Sequence, residues 1–187
     1  MSKTPQQIAL MAESGRLLAS VFGYLDRLDL LGMSTLQVND LVDNYIVGEL
    51  KARPASKGQY GFAYAMNTSR NEVVCHGVPS ADDILRDGDL VNFDITLEKN
   101  GYIADSSKTY LIGKVSDQAR QLAEVTYEAM CKGIEAVKPG ARLGDIGHAI
   151  ERHACAHGYS VVRDYCGHGI GREMHEPPEV LHWGKAG

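Results

Sequence analysis

Lysine and arginine form no run in this chain, and together they number 19 against 24 acids, a formal charge of -5. That balance excludes an extended electrostatic footprint for nucleic acid or for an anionic membrane, and there is no nucleic-acid motif; only a local basic patch stays compatible with it. The four cysteines, Cys75, Cys131, Cys155 and Cys166, include no CxxC pair. This predicts a reduced, cytoplasmic protein. No apolar run approaches the roughly 20 residues of a membrane span. The opening stretch MSKTPQQIALMAES has neither a charged-then-apolar leader nor a small-residue cleavage site. Low-complexity segments are missing too. What is present is a chain of 187 residues, read as a single domain over 1–187 and long enough to bury roughly two thirds of its unfolded surface.

An order of elements occurs twice. Residues 4–31 open on Thr-Pro and carry Ile8, Met11, Leu17, Leu18, Val21, Leu25 and Leu28 at helical spacing. After Gly32, MSTLQVNDLVDNYIVGEL offers a Ser or Thr cap and a second amphipathic face. A looser segment, QYGFAYAMNTSRNEVVCHG, ends in a strand-like run and His76-Gly77. From 117 onward the same order returns. SDQARQLAEVTYEAMCKGIEAV predicts a helix closed by Lys138-Pro139-Gly140, ARLGDIGHAIERHACAHG predicts another ending at Gly158, and the β-rich YSVVRDYC leads to Gly167-His168-Gly169. Two readings stand at this point: an internal duplication, or a coincidence between two common helix pairs.

Between these passes lies DGDLVNFDITLEKNGYIADSSKTY, which places two aspartates in strand-like segments, where Asp is disfavoured. Asn100-Gly101 is a strong hairpin turn signal, and as the central pair it sets Thr96 opposite Asp105. Asp94 then shares the face of Thr96 and becomes a diagonal neighbour of Asp105, about 7 to 8 Å away between backbones. Phe93, Ile95 and Leu97 take the other face and enter the core. Two carboxylates on one half-buried face repel unless a proton, a base or a metal lies between them. A shared proton, a metal held with an imidazole, or two solvated acids on an exposed face all fit the pattern.

NEVVCHGVP at 71–79, DGDLVNFDIT at 87–96, GYIADSSKTYLIG at 101–113, KPG at 138–140 and VVRDYCGHGIGREMHEPPEVLH at 161–182 together resemble the type I methionine aminopeptidases, in order and over nearly the whole chain. The resemblance implies an α+β pita-bread fold of two related halves around two divalent metal ions, Co, Mn, Fe or Zn, with the second half incomplete in this chain. It implies that Asp94, Asp105 and His168 are metal ligands, Asp105 bridging both ions. His76 and His175 correspond to the two non-ligand histidines of the substrate site. The implied activity is removal of the initiator methionine from nascent polypeptides by a water bridging the metals. The implied setting is the cytoplasm, close to the ribosome, in a family that is usually monomeric.

The methionine slot departs from the family pattern. Phe62 stands where the family has tyrosine, Ala63 where it has proline, Asn67 where it has cysteine, and Met174 where it has an aromatic. Phe62 and Met174 keep the slot apolar, while Gln59 and Asn67 add polarity. The family's two glutamate ligands lie further along than Gly187. A polypeptide ending truly there is expected to bind metal weakly, to expose sheet edge and apolar surface, to associate, and to be essentially inactive, and a non-catalytic pita-bread binding module is the alternative reading. The remaining signals are read as structural. His153 and His157 in HACAH stand four apart, but no Glu follows His153 as a zinc-protease helix requires, so they read as surface or cap residues. The Pro- and Gly-rich ending HEPPEVLHWGKAG reads as loop.

Overall fold

The computed structural model describes residues 2–187. They form two compact units: the residues up to Ser116 together with Ile170–Met174, and Asp117–Gly169 together with His175–Gly187.

In the first unit, helix α1 (Pro5–Leu25) begins at a capping box in which the Thr4 hydroxyl accepts from Gln7 N and the Gln7 side chain accepts from Thr4 N. Helix α2 (Thr35–Asn44) starts with the same device, built from Ser34 and Gln37. Each box satisfies backbone N–H groups that a helix start otherwise leaves unpaired. The helix expected through residue 50 widens instead into a π turn at Tyr45–Glu49. Leu18, Val21 and Leu25 of α1 and Val38, Val42 and Ile46 join one core with the sheet residues Val91, Phe93, Ile95 and Leu97. Although α1 is long and apolar enough by length and composition to cross a membrane, it carries Glu13 and Arg16 and packs on the sheet. The expectation that no apolar segment reaches that length holds only for uninterrupted runs. Its buried Ser14 donates to the Tyr102 carbonyl at 2.9 Å, which settles a polar group inside the core.

The sheet is organised by one hairpin, β3 (Leu90–Lys99) and β4 (Tyr102–Leu111), paired along its whole length. The other edge of β3 takes β2 (Met66–Arg70) along residues 91–95 and the two-residue β1 (Arg53–Pro54) along 97–98. The strand-like run expected just before His76 is not formed. β2 lies earlier because Asn71 takes φ 52° and ends it, while the Asn71 side chain donates to Asp89 at 2.8 Å and accepts from Leu90 N at 3.0 Å.

In the second unit α3 (Asp117–Ala136) and α4 (Leu143–Ala156) pack as an antiparallel pair, close to the expected bounds. A Cβ on Gly133 would meet Ile150 at 2.8 Å, so a glycine is what allows this approach. On α3, Tyr127, Met130 and Ile134 are exposed, as is Val137 just past its end. Segment 181–187 lies along α4 over Gly144 and Gly147, where any side chain would strike the Trp183, Leu181, Lys185 or Gly187 backbone. The Arg163 guanidinium stacks 4.5 Å from the Trp183 ring.

Two expectations fail here. YSVVRDYC forms no strand and leaves Val162 and Tyr165 exposed; at its start Tyr159 N donates to the Ala154 carbonyl at 3.0 Å, which turns the chain back on the end of α4. EPPEV, read as loop, is instead strand β6 (Glu176–Val180), antiparallel to β5 (Gly167–Gly169). The register shift between His168 and Gly169 leaves Pro177 and Pro178 without ladder partners. A bulge is where a strand tolerates proline, which donates no hydrogen bond.

Asp89, buried immediately before β3, accepts from Asn71, from Arg86 N at 2.9 Å and from Arg70. Burial alone would raise its pKa. The hydrogen bonds and the Arg70 charge outweigh that and hold it below the ordinary carboxylate value of 3.8. A depressed carboxylate contributes stability above its unfolded pKa and loses it as pH falls through the folded one. Asp89→Asn should therefore lower stability at neutral pH by about 2 kcal/mol. It should also flatten the acid-side decline below about pH 4, read as urea midpoints across a pH series.

Candidate functional site

The turn at the tip of the long hairpin decides where its acids lie. Asn100 and Gly101 both take positive φ, 54° and 77°, as a two-residue hairpin turn with right-handed strand twist requires. Thr96 consequently pairs with Asp105 and Asp94 with Ser107, the register the sequence predicts. Phe93, Ile95 and Leu97 point into the core, fully buried, and Asp94 and Asp105 share the opposite face, both half-buried. The solvated reading of the two acids is thus only half met, for neither is fully exposed. Glu98 steadies the tip: Arg53 bonds it at 2.9 Å and Gly101 N donates to it at 3.0 Å. The Arg53 bond, more than the opposing effect of burial, holds the Glu98 carboxyl below its usual range.

Asn67, opposite Asp94 on β2, directs its carboxamide to the Asp94 carboxylate at 3.4 Å. The sequence marks Asn67 only as a departure in the substrate slot; its reach toward Asp94 comes from a ladder register between strands far apart in sequence. Thr96, between the two aspartates on that face, is buried and bonds Ser56 at 2.5 Å. Paired hard oxygen donors, half removed from water and oriented by an amide, fit a divalent cation and fit poorly as a bare pair of like charges.

His76 is exposed and sits at φ 55°, a backbone region that a non-glycine residue keeps only when its surroundings impose it. They do: Thr68 N donates to the Gly77 carbonyl at 2.8 Å, and Gly77 N donates to the Ser69 hydroxyl at 3.1 Å. A Cβ on Gly77 would run into the Thr68 carbonyl.

Met174 and Gln59 line a cavity of about 260 Å³ together with Ile103, Arg53, Lys57 and Arg172. The predicted slot residues are therefore only partly gathered, since Phe62 makes an edge-to-face contact with Tyr64, centroids 5.6 Å apart. Arg172 lies over the Tyr102 ring at 4.9 Å, a contact with no signal in the sequence.

The other two histidines belong to the second unit. His168 is in the middle of β5 and not after a strand as expected, and its ring centroid is 4.4 Å from that of His175, which immediately precedes β6. His168 Nδ1 lies 3.0 Å from the Gly169 carbonyl. A carbonyl only accepts, so Nδ1 carries a proton; in the neutral ring that is the tautomer that ligates a metal through Nε2. Gly169 is required much as Gly77 is, because a Cβ would meet the Pro177 and Glu176 carbonyl oxygens at 2.6 and 2.8 Å.

Residues 9–186 match metallopeptidase family M24. Methionine aminopeptidase B of Synechocystis sp. is 45% identical over 97% of this chain, which spans 68% of that relative's length. The crystal structure of methionine aminopeptidase from Rickettsia prowazekii superposes with a TM-score of 0.96 at 43% identity, covering all of this chain and 75% of that one. A recombinant prolidase from Thermococcus sibiricus shares the fold, with a TM-score of 0.82 at 22% identity over 96% of this chain and 48% of its own.

Gly77→Ala should destabilise the first unit by about 1 to 3 kcal/mol as an overpacked site, read as a lower unfolding midpoint, and shift the His76 imidazole resonances in NMR spectra. Gly48→Ala, where a Cβ meets nothing within 4 Å, should do neither.

Proposed function

The chain belongs to metallopeptidase family M24, and from that premise we propose that it is a methionyl aminopeptidase with the pita-bread fold, a hydrolase that removes the N-terminal methionine of nascent proteins and peptides. The observation that carries the reading is the Thr96–Asp105 register, which sets Asp94 and Asp105 on one half-buried face of a chain 45% identical to a methionine aminopeptidase.

In this reading Asp94, Asp105 and His168 would hold divalent ions, and oxygen donors with one imidazole suit Mn, Fe, Co or Zn. When bound, such ions acidify a water and polarise the scissile carbonyl. The chain's own groups do the rest. Asn67 orients the Asp94 carboxylate, and the Gly169 carbonyl fixes the His168 tautomer. His175 donates to the carbonyl oxygen as negative charge builds on it, and His76 contacts the peptide nitrogen and the departing amine. Phe62 and Met174 offer apolar surface to the thioether, which provides shape and polarizability but no strong hydrogen bond. The substrates are newly made amino termini, so the enzyme works in the cytoplasm beside the ribosome.

The assay is release of methionine from Met-Ala-Ser by the full-length protein supplied with Mn or Co. Turnover is expected, and its absence with either ion would overturn the reading. Asp105→Asn should abolish both turnover and tight metal uptake in titration calorimetry, because a neutral amide replaces an anionic oxygen ligand; two intact tight sites would remove Asp105 from the ligand set. His175→Ala should keep its metals and lose turnover by about 100-fold or more, while an unchanged rate would remove His175 from the mechanism.

A further inference from the structure

Away from these residues, the α3–α4 pair brings together one carboxylate and two imidazoles. His153 and His157 are four apart on α4, so they occupy one face a turn apart, with ring centroids 4.5 Å from each other. Glu128 of α3 reaches the same face, its carboxylate 2.9 Å from His153 Nε2. One ligand atom from each of the three lies within 4.8 Å of the others. The close helix approach that glycine permits at Gly133, five residues beyond Glu128, is what brings the acid within reach. The sequence offers no Glu beside His153; the third ligand type comes instead from the neighbouring helix.

The tautomers favour coordination. His157 Nδ1 is 2.9 Å from the His153 carbonyl. That oxygen can only accept, so Nδ1 holds a proton, and the neutral ring then offers Nε2 in the backbone-carbonyl arrangement that supports ligating histidines. His153 is half-buried, whereas Glu128 and His157 are exposed, so an ion has a path in and keeps positions for water. Tetrahedral zinc, with bonds of about 2.0 to 2.2 Å, needs its ligand atoms roughly 3.3 Å apart. That is a small rotamer adjustment from the observed spread.

We propose that Glu128, His153 and His157 form a peripheral site for a divalent ion of the zinc class, separate from the proposed catalytic centre, which clasps α3 to α4. Two imidazoles and a carboxylate select Zn, Co, Ni or Cu over Mg or Ca. On binding, the ion takes the place of the proton between His153 Nε2 and the Glu128 carboxylate; a neutral His153 ring keeps its one proton on Nδ1, and a ring that starts as imidazolium releases the second to solvent.

The test uses full-length protein, dialysed to equilibrium against buffer of fixed free Zn²⁺, and compares the wild type with His157→Ala and Glu128→Gln. The wild type should retain one more zinc per chain than either variant, and each substitution should weaken this site by at least about tenfold. The zinc-induced rise in unfolding midpoint should shrink in both, because an ion that binds only the folded state raises its stability. Methionine release with Mn should be the same in all three proteins. Equal zinc counts and equal zinc-induced shifts across the three would overturn the proposal and leave the cluster as a hydrogen-bonded clasp between helices. Loss of Mn-supported turnover in Glu128→Gln, with folding intact by circular dichroism, would also overturn it by tying the cluster to the catalytic centre.

Discussion

The side-chain alternation of the β3–β4 hairpin governs both the core of the first unit and its acidic face. A strand has a period of two, so a register slip of one residue would bring Asp94 and Asp105 into the space of Phe93, Ile95 and Leu97. Burying two unpaired carboxylates costs several kcal/mol each. The hydrophobic core therefore enforces the placement of the acids, and the Asn100-Gly101 turn has only to be compatible with it. Stability and chemistry share a constraint here, because the buried aromatic and aliphatic row cannot be satisfied without presenting the carboxylates on the other side.

This explains which parts of the molecule could be read beforehand. Helix starts were legible from Thr4-Pro5 and Ser34 because capping is a local negotiation between neighbouring groups. The hairpin was legible because two turn residues and an alternation of apolar and polar positions specify its register. β6 was hidden because the rule that prolines leave strands is true of regular ladders, and Pro177 and Pro178 occupy an irregularity in one. YSVVRDYC failed in the opposite direction: propensity describes the residue, while a strand also needs a partner. The reach of Asn67 toward Asp94 and of Glu128 toward His153 depends on segments distant in sequence, and no periodicity within either segment encodes it.

The histidine-glycine pairs show how similar sequence words can arise from different local structure. His76 follows an irregular segment, while His168 sits inside a short strand. Their glycines nevertheless answer a common demand, since each lies where a neighbouring backbone carbonyl leaves no volume for a methyl group. The doubled pattern seen in the sequence therefore has a steric basis in both units, whatever its history.

Trp183 is the chain's one tryptophan, and it belongs to the second unit, where the Arg163 guanidinium covers its ring. Its emission will respond to solvent entry around α4 and the segment laid over Gly144 and Gly147, while the hairpin unit contains no tryptophan and is silent in that channel. A change in intrinsic fluorescence during denaturation therefore dates the opening of one unit only. Compared with circular dichroism, which sums the helices of both, it becomes a built-in probe of whether the two halves of this chain lose their structure together or in turn.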